Sequence, residues 1–342
     1  MRSNRCAALA LDSHSPAAWE MLAELGAGEV TAAERSALED EYRRPRRSVD
    51  ERAELAYAFA NVLESRAQYP EAFALFTEAN ALRRRGLEWD AARHTRRCER
   101  ILEAFPADAE IASASTLGEG CLFVLGLPDV VADAVARALR AHPSVGHAAA
   151  PNPARLVAAE SKRRNQPFAQ WARQATPAEW LRLGQAYLAE PMPGGARSHR
   201  VLDATACAPE LAGAIAAMLP AARFVAIGND ALESCWSCFR ADFHEGARYS
   251  ADLAELAQYR HDVATLLVRW HARFGARIHR VEAEALRGDP AAAIAALYAH
   301  CGLDAGSAPE RIELRARPEA RVYGDLLKPL AQMLAARPAG KA

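Results

Sequence analysis

The residues with the clearest chemical potential follow a short apolar run at residues 122–125. Gly126 and Pro128 mark a turn after this run, and Asp129 opens a stretch with apolar residues at helical spacing. This order predicts a buried strand, a tight turn and a helix. The first backbone N–H groups of a helix lack partners within the helix, and many proteins hold a phosphate there. Residues 122–143 therefore have the layout of a phosphate-binding loop, with a carboxylate at the start of its helix.

Strands alternate with helical patterns over most of the chain beyond this loop. Further short strands are predicted at residues 200–203, 223–227 and 276–281, with helices between them. Such alternation is typical of an α/β fold whose parallel sheet is covered on both faces. Ligands of these sheets bind beyond the carboxyl ends of the strands. Four residues stand at such ends, namely Gly126, Asp203, Gly228 and Glu282.

The segment before the first strand, residues 15–105, predicts helices only. Thr31 and Glu34 have the spacing of a capping box at the start of one helix. The following helical pair places apolar residues close to the tetratricopeptide spacing, at Leu55, Leu63, Tyr69, Ala72, Phe76 and Ala79. Since a single repeat leaves an apolar face open, we expect these helices to pack on the following domain. The predicted domains are residues 1–106 and 107–342.

Composition narrows the class of protein and its partners. The chain has 342 residues, 51% hydrophobic content and a formal net charge of −1, so nothing in the overall charge favours nucleic acid or an anionic membrane. No apolar run reaches the length of a membrane span and the N-terminus does not have the pattern of a signal peptide, so a cytoplasmic location is expected. Seven cysteines at scattered spacings indicate reduced thiols.

Other motifs predict structure more than chemistry. Cys235 and Cys238 form a CxxC pair, for which structural thiols are expected and a redox or zinc role is the alternative. The basic runs at residues 83–85 and 162–164 are expected to be solvated helix faces. For the N-terminal helices, a platform without a ligand and a groove for a protein or peptide partner both remain open.

On the loop at residues 122–143 and two later stretches, the chain resembles the bacterial tetratricopeptide-repeat sulfotransferases. These enzymes take a sulfuryl group from 3′-phosphoadenosine-5′-phosphosulfate (PAPS). The resemblance extends from Tyr57 to about Asp304, through residues 201–243 and 275–294. It implies a P-loop-like sulfotransferase fold with a central parallel sheet, preceded by an all-α tetratricopeptide-like region. It also implies that four residues would contact the nucleotide, namely Gly126, Pro128, Asp203 and Ser237.

The same resemblance shows which family residues are replaced. Where the family loop reads Arg-Ser-Gly-Thr-Thr, this chain has Asp129, Val130, Val131, Ala132 and Asp133. A family Lys after the second strand is Ala204, and a family Arg-Arg pair is Gly228 and Asn229. The Glu expected as general base falls near Ala149 or Ala150, so no catalytic residue is assigned. The adenine-covering loop is shortened to about residues 315–323, where three cations remain, Arg315, Arg317 and Arg321.

These replacements predict a degenerate, catalytically inactive homologue that acts as a binding or scaffolding protein without a cofactor. Asp129 and Asp133 then cap an ordinary helix, although a site reshaped for a cation or another substrate is also open. The alternative function is an active sulfotransferase with an atypical donor site, which would bind PAPS and its product 3′-phosphoadenosine-5′-phosphate (PAP). Such an enzyme would transfer the sulfuryl group to a hydroxyl or phenol.

Overall fold

A computed structural model describes residues 14–85, 88–106, 115–147, 152–189, 200–203, 209–243, 247–304 and 317–336, with four isolated residues at 306, 309, 312 and 314. At residues 24–27 it describes the backbone alone. The chain forms two compact units. The helical unit comprises residues 1–91, 231–259 and 316–342, and the α/β unit comprises residues 92–230 and 260–315. The predicted domain ranges 1–106 and 107–342 stay a prediction.

The helical unit begins with four helices, as the sequence predicts for this region. They are α1 (Pro16–Gly26), α2 (Ala32–Arg43), α3 (Val49–Glu64) and α4 (Tyr69–Arg84). The capping box of Thr31 and Glu34 is present at the start of α2. An equivalent box of Ser48 and Glu51 opens α3, where both side chains bond to backbone N–H groups of the first turn. These boxes fix two of the helix starts from local sequence alone.

Later parts of the chain complete the helical unit. They are helix α11 (Ala231–Phe239), a 3₁₀ turn at Arg248–Ala251, a 3₁₀ segment at Ala320–Leu327 that is broken at Gly324, and helix α15 (Lys328–Ala335). Trp236 of α11 stacks on Phe73 of α4 with ring centroids 5.8 Å apart. It also contacts the edge of Phe76 at 5.7 Å and the ring of Tyr323 at 4.4 Å. The aromatic face of α4 is therefore covered by side chains of the same chain.

A buried ion pair lies within the same unit. The guanidinium of Arg240 donates to Glu64 Oε1 at 2.7 Å, and the Tyr323 hydroxyl donates to the same oxygen at 2.6 Å. All three residues are at most 4% exposed. Burial and the neighbouring Glu64 carboxylate raise the pKa of the Tyr323 phenol well above its usual range. These bonds link α3 to residues 240 and 323. They also supply the partners without which the buried Glu64 carboxylate would be costly.

The α/β unit is built on a five-stranded sheet in which every strand is parallel. Its strands are β1 (Cys121–Leu125), β2 (Val145–His147), β3 (Arg200–Asp203), β4 (Arg223–Gly228) and β5 (Ile278–Glu282). Their order across the sheet is β2-β3-β1-β4-β5. The register pairs Phe123 with Asp203 and, on the other side, with Phe224. The α/β fold predicted from the sequence is confirmed, and β1 lies at the centre of the sheet.

Helices cover both faces of this sheet. They are α5 (Ala91–Ala104), α6 (Val130–Ala141), α7 (Pro153–Arg164), α8 (Phe168–Ala172), α9 (Pro177–Ala189), α10 (Ala212–Met218), α12 (Leu253–Phe274), α13 (Ala283–Gly288) and α14 (Pro290–Cys301), and the unit boundary falls within α12. On β1, Phe123 and Leu125 point into one apolar cluster, whereas Leu122 and Val124 point into the other. This explains why β1 has an unbroken apolar run, since both of its faces are buried.

Four of the described helices and strands are absent from the sequence-based prediction. Strand β2 has three residues, α8 has five and α13 has six, so none of these is long enough to show a hydrophobic period. Helix α15 begins beyond the region of family resemblance. Among the described helices, none is both long and apolar enough to cross a bilayer.

Candidate functional site

The turn between β1 and α6 follows the strand–turn–helix order that the sequence predicts. Gly126 leaves the strand with a φ of +149°, and a Cβ there would lie 3.1 Å from Cβ of Ile227 on the adjacent strand β4. This contact and this backbone conformation both favour glycine. Leu127 and Asp129 are buried and Pro128 between them is half-buried, so the loop is packed rather than open along its length.

Asp129 occupies the N-terminus of α6 with its own carboxylate. The backbone N–H groups of Val131 and Ala132 both donate to Asp129 Oδ1 at 2.9 Å. The residue is 3% exposed, so these bonds are shielded from water. The N–H groups that a phosphate would use at this helix are therefore bonded to an internal anion. The predicted helix cap at Asp129 is confirmed.

The loop after β4 also contacts this carboxylate. The side-chain amide of Asn229 donates to Asp129 Oδ2 at 3.1 Å, so both oxygens of the carboxylate have donors. Beside it, a Cβ added at Gly228 would lie 2.1 Å from Glu282 Oε2 and 2.8 Å from Arg280 Nε. Arg280 and Glu282 form an ion pair at 2.5 Å. Their side chains fill the space next to Gly228, where the resemblance implies an arginine.

Asp203 lies at the end of β3, next to the central strand. It is 2% exposed, and the Tyr187 hydroxyl donates to its Oδ2 at 3.2 Å. Burial, reinforced by the Asp203 carboxylate, raises the pKa of the Tyr187 phenol well above its usual range. The phenol therefore stays protonated at neutral pH.

The structure divides the predicted nucleotide contacts between its two units. Gly126, Pro128 and Asp203 lie at the carboxyl edge of the sheet in the α/β unit, whereas Ser237 lies on α11 in the helical unit and is 7% exposed. Asp133, expected to act with Asp129, is half-exposed and pairs with Arg137 at 3.1 Å. Predictions about Ala149, Ala150, Ala204 and Arg315 lie outside the described residues.

A second group of ionisable side chains lies in the α/β unit and was not predicted from the sequence. His94 of α5 bonds through Nδ1 to Asp262 Oδ2 at 2.7 Å and through Nε2 to Glu210 Oε1 at 2.8 Å. Cys98, one turn later on α5, places its Sγ 3.7 Å from His94 Nε2. Burial opposes a charge on the ring, but the hydrogen bonds to Asp262, Cys98 and Glu210 outweigh it and raise the pKa of His94 to about 11.

The only sequence signal for this group is the i, i+4 spacing of His94 and Cys98, which places both on one side of a helix. Glu210 and Asp262 lie 116 and 168 residues from His94, so the sequence pattern does not connect them. Burial is also invisible in the sequence, because α5 has charged residues on its other faces.

Comparison with known proteins places this fold and loop in a family. The family model described as "Sulfotransferase family" matches residues 122–306, from β1 to beyond α14. This match covers more than half of the chain, and the chain therefore belongs to the sulfotransferase family. A comparison with curated proteins gives no match.

Among solved structures, the chain is similar to the crystal structure of a sulfotransferase from Alicyclobacillus acidocaldarius. The two chains are 14% identical with a TM-score of 0.39, and the alignment covers 63% of this chain and 90% of that chain.

Proposed function

We propose that this protein is a sulfotransferase-family member that has lost donor binding and catalysis and acts as a binding or scaffolding protein. The observation that carries this proposal is the carboxylate of Asp129 on the backbone N–H groups of Val131 and Ala132. A sulfotransferase of this family needs those groups for the phosphosulfate of PAPS. In this chain they are bonded to an anion that is part of the protein.

The energetic consequence is large. Each missing charge-assisted hydrogen bond costs about 1.5–3 kcal/mol of binding free energy, and the sequence lacks at least two of the family's cations. A carboxylate about 4 Å from a phosphate adds roughly 1–4 kcal/mol of repulsion across effective dielectrics of 80 to 20. Together these effects amount to about 5 kcal/mol or more, which is over a thousandfold in affinity.

The surroundings of Gly228 support the same proposal. The space beside it holds the Arg280–Glu282 pair, and Asn229 is engaged with Asp129. Asn229 after β4 thus supplies a neutral amide, and Arg280 of β5 is already paired with Glu282, where a 3′-phosphate requires available cations.

A protein or peptide partner of the helical unit belongs to this proposal. Trp236 and Tyr323 cover the aromatic face of α4, so a partner would contact other faces of these helices. In the turn after α2, Arg44 and Arg47 already pair with Glu41. Arg46 is exposed to solvent with a φ of +67°, and it is the cation that this turn offers to an acidic segment of a partner.

The decisive experiment is a calorimetric titration of the purified full-length chain with PAP. We expect no binding at physiological concentration. A dissociation constant in the low micromolar range would overturn the proposal and favour the alternative, an active PAPS-dependent sulfotransferase with an atypical donor site. Membership of the family is the observation that favours this alternative.

A rebuilt loop provides the matched positive variant. Replacing residues 129–133 with Arg-Ser-Gly-Thr-Thr removes two carboxylates and supplies a cation and hydroxyls at the start of α6. PAP affinity should improve at least tenfold, or about 1.4 kcal/mol, while turnover stays absent. Because Val131 is fully buried in the core, a second variant that changes Asp129 alone to Arg controls for lost packing. Unchanged affinity in both variants would contradict the role given to Asp129.

A further inference from the structure

A buried group of four side chains in the α/β unit has a composition that ordinary packing does not explain. His94 and Cys98 come from α5, Glu210 from the 3₁₀ turn Pro209–Leu211, and Asp262 from α12. Their exposed fractions lie between 4% and 8%. The ligand atoms of His94, Cys98 and Glu210 all lie within 4.8 Å of one another. A thiol, an imidazole and a carboxylate at this separation are a set that zinc prefers.

One atom of the group has no hydrogen-bond partner among the described residues. Glu210 accepts from His94 through Oε1, but its second oxygen, Oε2, is buried without a hydrogen bond to any described residue. A buried carboxylate oxygen without a donor costs free energy, so such an atom calls for a proton or a cation. It points to a ligand rather than to a completed hydrogen-bond network.

The distances suit a tetrahedral ion. For typical bond lengths to zinc, sulfur and nitrogen ligands lie about 3.6 Å apart, and Cys98 Sγ lies 3.7 Å from His94 Nε2. Nitrogen and oxygen ligands would lie about 3.3 Å apart, so Glu210 Oε1, now 2.8 Å from Nε2, has to retreat by about 0.5 Å. This shift is small for a side chain in a short turn.

We propose that His94 Nε2, Cys98 Sγ and the carboxylate of Glu210 bind a Zn²⁺ ion inside the α/β unit. Asp262 accepts from His94 Nδ1 and holds the ring in the tautomer that leaves Nε2 for the metal, with Thr95 donating to the Asp262 carboxylate at 3.0 Å. Glu210 binds through one carboxylate oxygen, so the protein supplies three ligands and the fourth tetrahedral position is left for water. The ion ties α5, the turn at residues 209–211 and α12 together.

The exchange balances in charge. Zn²⁺ replaces the Nε2 proton and the thiol proton, so two protons leave as two positive charges enter. The net charge of the buried group stays the same, and the competing occupant of the site is therefore a pair of protons.

Metal content of the full chain tests the proposal. Protein expressed with zinc and dialysed against metal-free buffer should retain about one zinc per chain by mass spectrometry of the metal. After exchange for Co²⁺, we expect the visible bands of a tetrahedral site and a near-ultraviolet thiolate-to-cobalt charge-transfer band. Absence of both zinc and the cobalt spectrum in the wild-type chain would overturn the proposal and leave a protonated His94 between two carboxylates.

Matched variants locate the ion. Cys98→Ser should abolish the charge-transfer band, whereas Cys301→Ser, which changes another buried free cysteine of the same unit, should keep it. Asp262→Asn should keep the band but weaken metal affinity about 10–100-fold. A band that survives Cys98→Ser would place the metal elsewhere and contradict the proposal. If Cys98→Ser does not fold, chelation decides, since a strong chelator must lower the melting temperature of the wild type.

Discussion

The role of the Asp129 carboxylate at the start of α6 can be tested by replacing this residue with alanine. In Asp129→Ala, the N–H groups of Val131 and Ala132 lose their acceptor, and the Asn229 amide loses its partner. A helix cap contributes about 0.5–2 kcal/mol, and buried donors left without acceptors add to that loss. Because Asp129 is 3% exposed, its bonds are shielded from water in the folded chain, and we expect a loss of about 2–3 kcal/mol in the free energy of unfolding.

The response to sulfate then distinguishes an anion-binding position at the start of α6 from a general loss of stability. In Asp129→Ala the helix N-terminus is free for an external anion, so sulfate should restore about 1.4 kcal/mol when it exceeds its dissociation constant tenfold. In the wild type the carboxylate occupies that position, and only the general stabilising effect of the salt should appear. Urea denaturation with and without sulfate, at matched ionic strength with chloride, measures both responses.

Asp289→Ala is the matched control. Asp289 caps α14 through a single N–H, that of Ala292 at 3.0 Å, and is exposed. Its loss should cost about 1 kcal/mol with a smaller sulfate response than that of Asp129→Ala, because one N–H group is freed instead of two. The reasoning fails if Asp129→Ala costs no more than Asp289→Ala, or if sulfate stabilises the wild type and both variants equally.

Three further predictions concern buried contacts. Hydrogen bonds from Arg163 and Arg164 outweigh burial and lower the pKa of Glu160 to about 2, so its stabilisation is present above pH 4.5 and lost as pH falls through 2. Glu160→Gln should therefore cost about 2–3 kcal/mol at pH 7, and urea denaturation at pH 3 should show a smaller difference. Tyr323→Phe removes a hydrogen bond to buried Glu64 and should cost about 1–3 kcal/mol by thermal denaturation. Gly184→Ala puts a Cβ 2.0 Å from the carbonyl oxygen of Met218 and should lower the melting temperature by several degrees; an unchanged value would contradict the close packing.

The elements that the sequence predicts best are those whose signal is local. Thr31 and Glu34 act within one turn, and the strand of residues 122–125 is apolar because both faces of β1 are buried. Asp129 belongs to this group too, since a carboxylate at a helix start bonds to N–H groups two and three residues away. Local chemistry of this kind is readable from residue type and spacing.

Residue type and local spacing do not reveal ion pairs between residues that are far apart in the sequence. Arg83, expected on a solvated face, is only 11% exposed through its side chain and pairs with buried Asp242, which lies 159 residues away. His94 and Asp262 are separated even further along the chain. The sequence does not show that a charged side chain is buried, because the partner that offsets the cost of burying its charge comes from another segment. The candidate zinc site is invisible in the sequence for this reason.

The discontinuous helical unit has a consequence for how the protein is made. Its first 91 residues are synthesised long before Trp236 and Tyr323, which cover the aromatic face of α4. Until those residues leave the ribosome, Phe73 and Phe76 lack their cover and offer an apolar surface to chaperones or to other nascent chains. The α/β unit ends at residue 315, so all of its residues are synthesised before the last segment of the helical unit. The N-terminal helices are therefore made first and obtain their last packing partners at the end of synthesis.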